Sequence, residues 1–266
     1  MPNRIDSKFL DLRTRRQSGF IAYITAGDPS PACTPSIALA LEEAGVDILE
    51  LGIPFSDPLA DGATIQAASG RAISAGTTVA VVLDIIRKIR KSSGIPIVLF
   101  TYLNPIYVYG FEKFLADAAA AGADGLLILD LPPDEAARNV ELSRGHGLLS
   151  IRLIAPTTPA ERMELIAKSA EGFIYYVSRE GVTGEQSTLS QSIPSQVAEI
   201  RRHSSLPVAV GFGISTPSQA REVAAQADAV VVGSVIVRRI GELGKAPDLA
   251  SQIAAFVRPL ASATKT

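Results

Sequence analysis

Ile48-Leu49-Glu50-Leu51-Gly52-Ile53 is an apolar run interrupted by one carboxylate. Burying an ionised Glu without a partner is expensive, so that placement needs a reason. Pairing with a nearby arginine is the ordinary one. Two features favour chemistry instead. Glu50 falls near the end of the run, and the segment behind it, Pro54-Phe55-Ser56-Asp57-Pro58-Leu59-Ala60-Asp61-Gly62, brings two more acids. Asp61 is placed to cap the next helix, a role that does not prevent it from facing a pocket. Two carboxylates in different environments can divide acid and base work between them.

A second signature concerns phosphate. Gly211-Phe212-Gly213-Ile214-Ser215 ends one expected strand and Gly233-Ser234 ends the next. Glycine lets the main chain approach an anion closely, and a helix N-terminus behind it supplies N–H donors. Either pair alone reads as an ordinary strand-end turn; both together, after the last two strands, favour phosphate. Arg179-Glu180-Gly181-Val182-Thr183-Gly184 opens a long polar stretch, Ser178 to Ser192, that suits a lid over the site or a plain surface loop. Tyr175, just before it, places its hydroxyl near the acids or belongs to the core, and Asp130 is a third pocket acid or a support.

Several chemistries are excluded. The seven lysines are Lys8, Lys88, Lys91, Lys113, Lys168, Lys245 and Lys265, none at the C-terminal end of an expected strand, which argues against a Schiff-base aldolase. The two histidines, His146 and His203, both precede strands, so a histidine metal cluster on the catalytic face is not expected. Neither a Walker A motif nor G-x-G-x-x-G occurs. What remains is cofactor-free acid–base chemistry on a small phosphorylated molecule.

The elements that must position these residues alternate. Short β-branched runs are predicted near Phe20–Ile24, Ile48–Gly52, Ile97–Thr101, Gly125–Asp130, Leu149–Ile154, Phe173–Val177, Val208–Phe212 and Ala229–Val232, with amphipathic helical patterns between them, including Ser36–Ala44, Ala63–Ala75, Val79–Lys91, Glu112–Ala120 and Asp134–Arg144. Eight strands each followed by a helix suit a closed α/β barrel: a single (β/α)₈ TIM barrel with extra short helices over residues 1–266, with chemistry at the strand C-termini. Ala44-Gly45-Val46-Asp47, Ala121-Gly122-Ala123-Asp124 and Ala225-Gln226-Ala227-Asp228 each lead into a strand and belong to the stabilising, opposite face.

Composition agrees. The 266 residues are 47% hydrophobic, with a formal net charge of −2 and a pI near 5.8, which argues against a nucleic-acid or membrane-surface binder. One cysteine, Cys33, permits no internal disulfide. Met1 to Gln17 has no apolar signal core, and the longest apolar run falls far short of the roughly 18 residues of a membrane span, so a cytoplasmic protein is expected.

Taken in order, Ala26-Gly27-Asp28-Pro29, the segment from Leu49 to Gly62, Ser178 to Gly184 and Gly211-Phe212-Gly213-Ile214 resemble the tryptophan synthase α-subunit family over nearly the whole chain. The resemblance implies cleavage of indole-3-glycerol phosphate to indole and glyceraldehyde 3-phosphate. It makes Glu50 the proton carrier and Asp61 the partner of the indole N–H, with Tyr175 supporting them and Thr183 closing onto Asp61. Gly184, Gly213, Gly233 and Ser234 would hold phosphate, and Phe100, Phe212 and Tyr23 would line the indole slot, Phe100 and Tyr23 departing from the aliphatic residue and phenylalanine expected there. It also implies a pyridoxal-phosphate β subunit in an α₂β₂ assembly, contacted through Pro54 to Asp57 and through Asn104 to Tyr109, including Ile106, with no metal or cofactor in this chain. A stand-alone indole-releasing lyase and a catalytically silent, phosphate-binding regulatory barrel are the competing expectations, and a sugar-phosphate isomerase is a third that leaves Glu50 to Gly62 unexplained.

Overall fold

The computed structural model describes residues 2–177, 192–211 and 213–265, together with the backbone but not the side chains of Pro133, Asp134 and Ala137. Thr183, Gly184, Phe212 and the expected lid therefore lie outside the described residues. The first half runs α1 (Arg4–Arg15), β1 (Gly19–Thr25), α2 (Thr34–Glu43), β2 (Ile48–Gly52), α3 (Ala63–Ser74), α4 (Val79–Arg90), β3 (Ile97–Thr101), α5 (Leu103–Tyr109), α6 (Phe111–Ala121) and β4 (Gly125–Ile128). There follow α7 (Pro133–Gly145), β5 (Leu149–Ser150), β6 (Arg152–Ile154), α8 (Ala160–Ser169) and β7 (Ile174–Val177). The last part is α9 (Ile193–His203), β8 (Val208–Gly211), α10 (Pro217–Ala224), β9 (Ala229–Val232), α11 (Ser234–Leu243) and α12 (Leu249–Ser262).

All strand pairs are parallel, in the order β5-β4-β3-β2-β1-β9-β8-β7-β6. The two ends of this ladder, β5 and β6, are separated in the chain by Ile151 alone, whose N–H still donates to the Leu126 carbonyl at 2.9 Å. They are two pieces of the single fifth strand expected from Leu149 to Ile154, and through them the sheet closes into an eight-stranded (β/α)₈ barrel.

The two-residue period of a strand sorts its side chains into layers. Ile21, Ile48, Val98, Leu127, Ile151, Phe173, Tyr175, Ala209, Ala229 and Val231 fill the barrel, whereas their neighbours Ala22, Leu49, Leu99, Leu126, Ile174, Val210 and Val230 pack against the helices. Helix α1 closes the N-terminal end of the barrel with Ile5, Phe9 and Leu12, Phe9 meeting Phe173 at a ring-centroid distance of 5.6 Å.

The three aspartate junctions perform one repeated task. Asp47, Asp124 and Asp228 each donate their N–H to the carbonyl of Phe20, Ile97 and Val208, and each accepts that same residue's N–H on a side-chain oxygen, at 2.8, 2.8 and 2.9 Å. Neighbouring strands are thereby set in register at the end of the barrel away from the site. Each carboxylate also takes a cation: Lys265 and Lys8 for Asp47, Arg90 and Arg4 for Asp124, Arg201 for Asp228. Gly45 and Gly122 adopt φ of +99° and +100°, the left-handed geometry that ends the preceding helices.

At the opposite end, Asp28 in the loop after β1 is buried and accepts both Arg71 Nε and a terminal Arg71 nitrogen from α3, at 2.7 and 2.8 Å. This fork ties the first loop to the helix that follows Asp61. Asp124→Ala is expected to lower unfolding free energy by about 2–4 kcal/mol, because it removes the carboxylate that pairs with Arg90 and leaves the Ile97 N–H without its acceptor. A urea midpoint equal to wild type would show that the junction does not carry the register.

Candidate active site

Glu50 owes its position to strand alternation. Leu49 and Leu51 face the helices, so Glu50 points with Ile48 into the barrel, one residue short of Leu51 and Gly52 at the strand's C-terminal end. Its Cα partners are Tyr23 on β1 and Val98 on β3. The side chain is fully buried, and among the described residues neither carboxylate oxygen has a hydrogen-bond partner. Removal from water pushes its pKa up to about 8, with no compensating cation. The arginine pairing that would have made Glu50 structural is absent among the described residues.

Asp61 is buried as well, and burial raises its pKa to about 6. Its shift is smaller because it is less completely removed from water than Glu50 and because the Tyr102 hydroxyl donates to its carboxylate, lowering the pKa in opposition. The same hydroxyl accepts the Ala60 N–H at 3.0 Å, and the Tyr102 ring lies 5.2 Å from that of Phe55. Tyr102 thus fastens both ends of the Phe55–Asp61 loop. It was missed in the sequence, although it directly follows β3 at the functional end of the barrel, which is the signal that would have found it. Helix α3 is capped by Gly62 without a side-chain bond, so Asp61 does not spend its carboxylate on capping.

Two tyrosines complete the acid pair. Tyr23 and Tyr175 are buried, and their pKa values are raised by burial and by the nearby carboxylates, Asp61 and Glu50 for Tyr23 and Glu50 for Tyr175. Both phenols remain protonated. Space for them comes from missing side chains: a Cβ on Gly52 would overlap the Tyr23 hydroxyl, and one on Gly211 would overlap the Tyr175 hydroxyl. Phe100 stands edge-on to Tyr23 at 5.2 Å, and together they form an apolar wall beside the carboxylates.

The phosphate candidates lie at strand ends as expected. Gly213 has φ of +76° just beyond β8, and Gly233 precedes Ser234, the first residue of α11. A Cβ on Gly233 would meet Tyr23 Cβ at 3.2 Å, so the glycine lets α11 start close against β1. The Ile236 and Val237 N–H groups donate to the Gly233 carbonyl at 2.9 and 3.0 Å, which leaves the Ser234 and Val235 N–H groups as the anion-accepting start of α11.

Two expectations need correction. Asp130 does not end β4; it sits exposed in the turn beyond it, and its carboxylate accepts the Leu103 N–H at 2.7 Å, one step removed from Asp61 beside Tyr102. Ile106 does not present itself to a partner, because the helical turn of α5 buries it completely in the core, and Pro54 is buried too. That face instead exposes Asn104, Tyr107 and Val108, with Asp57 and Leu59 on the loop after β2. Among the described residues no group of three or more His, Cys, Asp or Glu side chains is placed to hold a metal. No described helix is long and apolar enough to cross a membrane.

Two buried acids of unequal basicity thus stand toward the C-terminal end of the barrel strands. The tryptophan synthase alpha chain model matches residues 9–265. The chain belongs to that family. It is 49% identical to the tryptophan synthase alpha chain of Geobacter sulfurreducens over 98% of both chains, and 48% identical to that of Opitutus terrae over 99% of both. Its fold superposes on tryptophan synthase subunit alpha from Legionella pneumophila with a TM-score of 0.89, at 40% identity and 99% coverage of both chains. The corresponding values for a Mycobacterium tuberculosis tryptophan synthase structure are 0.92, 35% and full coverage of both. The chain functions as a tryptophan synthase alpha subunit, an enzyme of tryptophan biosynthesis, and the readings as a stand-alone lyase or a silent barrel are not favoured.

Because the Tyr102 bond lowers the Asp61 pKa while burial raises it, Tyr102→Phe is expected to move that pKa upward from about 6. The acid limb of the activity–pH profile is expected to shift to higher pH with it. An unmoved limb would mean that Asp61 does not set it.

Proposed function

We propose that the site cleaves indole-3-glycerol phosphate to indole and glyceraldehyde 3-phosphate, a carbon–carbon lyase reaction that uses no cofactor in this chain. The observation that carries the reading is the Glu50 carboxyl, buried without a partner and pushed to about 8, beside an Asp61 pushed only to about 6. Near neutral pH the first is mainly protonated and the second mainly ionised.

Glu50 gives its proton to indole C3, which makes the ring an electron sink and places positive charge at the indole nitrogen. Asp61 accepts the indole N–H and stabilises that charge, held in place by Tyr102. The glycerol hydroxyl then returns a proton to the Glu50 carboxylate as the carbon–carbon bond breaks. The bonding pair passes into the ring, the aldehyde leaves, and Glu50 ends protonated as it began. Tyr175 supports the acids, with Asp130 behind Tyr102, and Phe100 and Tyr23 wall the indole. Gly213, Gly233 and the Ser234 end of α11 receive the phosphate, with Thr183, Gly184 and Phe212 completing the site from outside the described residues.

The partner in this reading is a pyridoxal-phosphate β subunit in an α₂β₂ assembly, with residues 1–266 acting as one barrel domain. Asn104, Tyr107 and Val108 of α5, with Asp57 and Leu59, supply a contact surface; Tyr107, Val108 and Leu59 are 73%, 77% and 88% exposed, apolar groups suited to an interface.

Glu50→Gln keeps the shape and removes the proton, so kcat for indole release is expected to fall at least about 10³-fold with little change in KM. Activity within a few-fold of wild type would exclude Glu50 as the proton carrier. Gly213→Ala is expected to raise KM about 10-fold while kcat changes less, since a side chain there obstructs the anion and resists the positive φ. An unchanged KM would remove Gly213 from the phosphate site.

A further inference from the structure

Position 152 breaks the rule of the outward layer. On the other strands the residues facing the helices are apolar: Leu49 and Leu51, Ile97 and Leu99, Ile174 and Tyr176, Val208 and Val210, Val230 and Val232. On β6 the two outward positions are Ile154 and Arg152, with Arg152 in register with Ile174. Arg152 is only 7% exposed, and among the described residues it makes neither hydrogen bond nor ion pair. Burial lowers its pKa with no carboxylate acting in the opposite direction. With no partner among the described residues, the guanidinium opens only onto the cavity it lines, where partial loss of hydration leaves it under-satisfied.

The side chain lines an open cavity of about 310 Å³ between the end of β4 and the starts of α7 and α8, together with Arg162, Thr158, Asp130, Pro132 and Ile166. Neither adjoining helix start is closed by a side chain: α7 begins behind Pro132 and α8 behind Pro159, each without a capping hydrogen bond. Pro132 and Arg162, at these two helix starts, line the cavity, so the positive end of each helix dipole lies near it; Pro133 carries no N–H, and the Glu135 N–H already donates to the Pro132 carbonyl at 3.1 Å. Arg162 lies in the first turn of α8 and adds a second cation. The one described carboxylate in the lining, Asp130, accepts the Leu103 N–H. The cavity is distinct from the acid pair, because Arg152 faces the helix layer while Glu50 faces the barrel interior.

We propose that this cavity is a second anion site, built to take the phosphate of a small phosphorylated metabolite on the Arg152 guanidinium between the starts of α7 and α8. A planar guanidinium donates two parallel N–H bonds to such a group, and Arg162 with the positive ends of the two helix dipoles adds to the attraction. A volume of about 310 Å³ accommodates a small monoester rather than a bare ion alone.

The test follows the melting temperature of the full chain in millimolar inorganic phosphate against chloride at matched ionic strength. Arg152→Met removes an unpaired buried charge, so it is expected to melt above wild type in chloride and to lose at least half of the phosphate-induced rise. Arg152→Lys, which keeps the charge without the fork, is expected to fall between the two. Gly213→Ala, which disturbs the substrate's phosphate cradle, is expected to leave the Arg152-dependent part of the rise intact. An Arg152→Met chain with the full phosphate response would overturn the proposal, as would a response abolished by Gly213→Ala alone. A full phosphate response accompanied by weaker association with a β chain would overturn it in favour of a partner's carboxylate.

Discussion

A carboxyl group held inside the barrel with neither oxygen hydrogen-bonded is a constraint that the surrounding structure has to sustain. Among the described residues Glu50 has no cation beside it, so the folded chain holds its proton up to a pH of about 8, well above the ordinary carboxylate value of 4.5. Between those two pH values the folded state binds more protons than the unfolded state, so stability drains away as pH rises through that window. The barrel tolerates this because its register is fixed elsewhere. The Asp47, Asp124 and Asp228 junctions lock adjoining strands at the far end, each with a backbone exchange and at least one cation. The aspartate junctions and the buried acid are thus kept at opposite ends of the same strands.

The environment of Asp61 shows how a modest difference in surroundings separates two identical functional groups. Both acids lose water, but only Asp61 gains a hydroxyl donor, and that donor is anchored by the backbone of the loop it serves. One acid is then suited to hold a proton and the other to hold a charge under the same conditions. Glycines at 52 and 211 matter for the same reason. They remove the side chains that would occupy the space taken by the Tyr23 and Tyr175 hydroxyls.

Much of this was legible in the amino-acid order. The strand runs, the aspartate junctions and the odd carboxylate at Glu50 depend on local periodicity and on the cost of burying charge, and both are visible in a linear string. The features that escaped depend on three-dimensional direction. Ile151 interrupts the fifth strand because closing a barrel requires stagger, which no single strand encodes. Ile106 reads as a surface residue until the phase of α5 is known. Tyr102 matters because its hydroxyl reaches across to a loop that precedes it by some forty residues. Arg152 looks unremarkable in a list of arginines and becomes conspicuous only when its strand face is assigned.

The central claim is that Glu50 is a buried proton donor because removal from water, with no cation beside it among the described residues, raises its pKa. The most direct check is a carbon-13 titration of its side-chain carboxyl in the free chain, with the resonance assigned by its loss in Glu50→Gln. A midpoint near 8 is the expected result. A midpoint near 4.5 would mean that water or a cation reaches the carboxylate, and the division of labour between Glu50 and Asp61 would have to be abandoned.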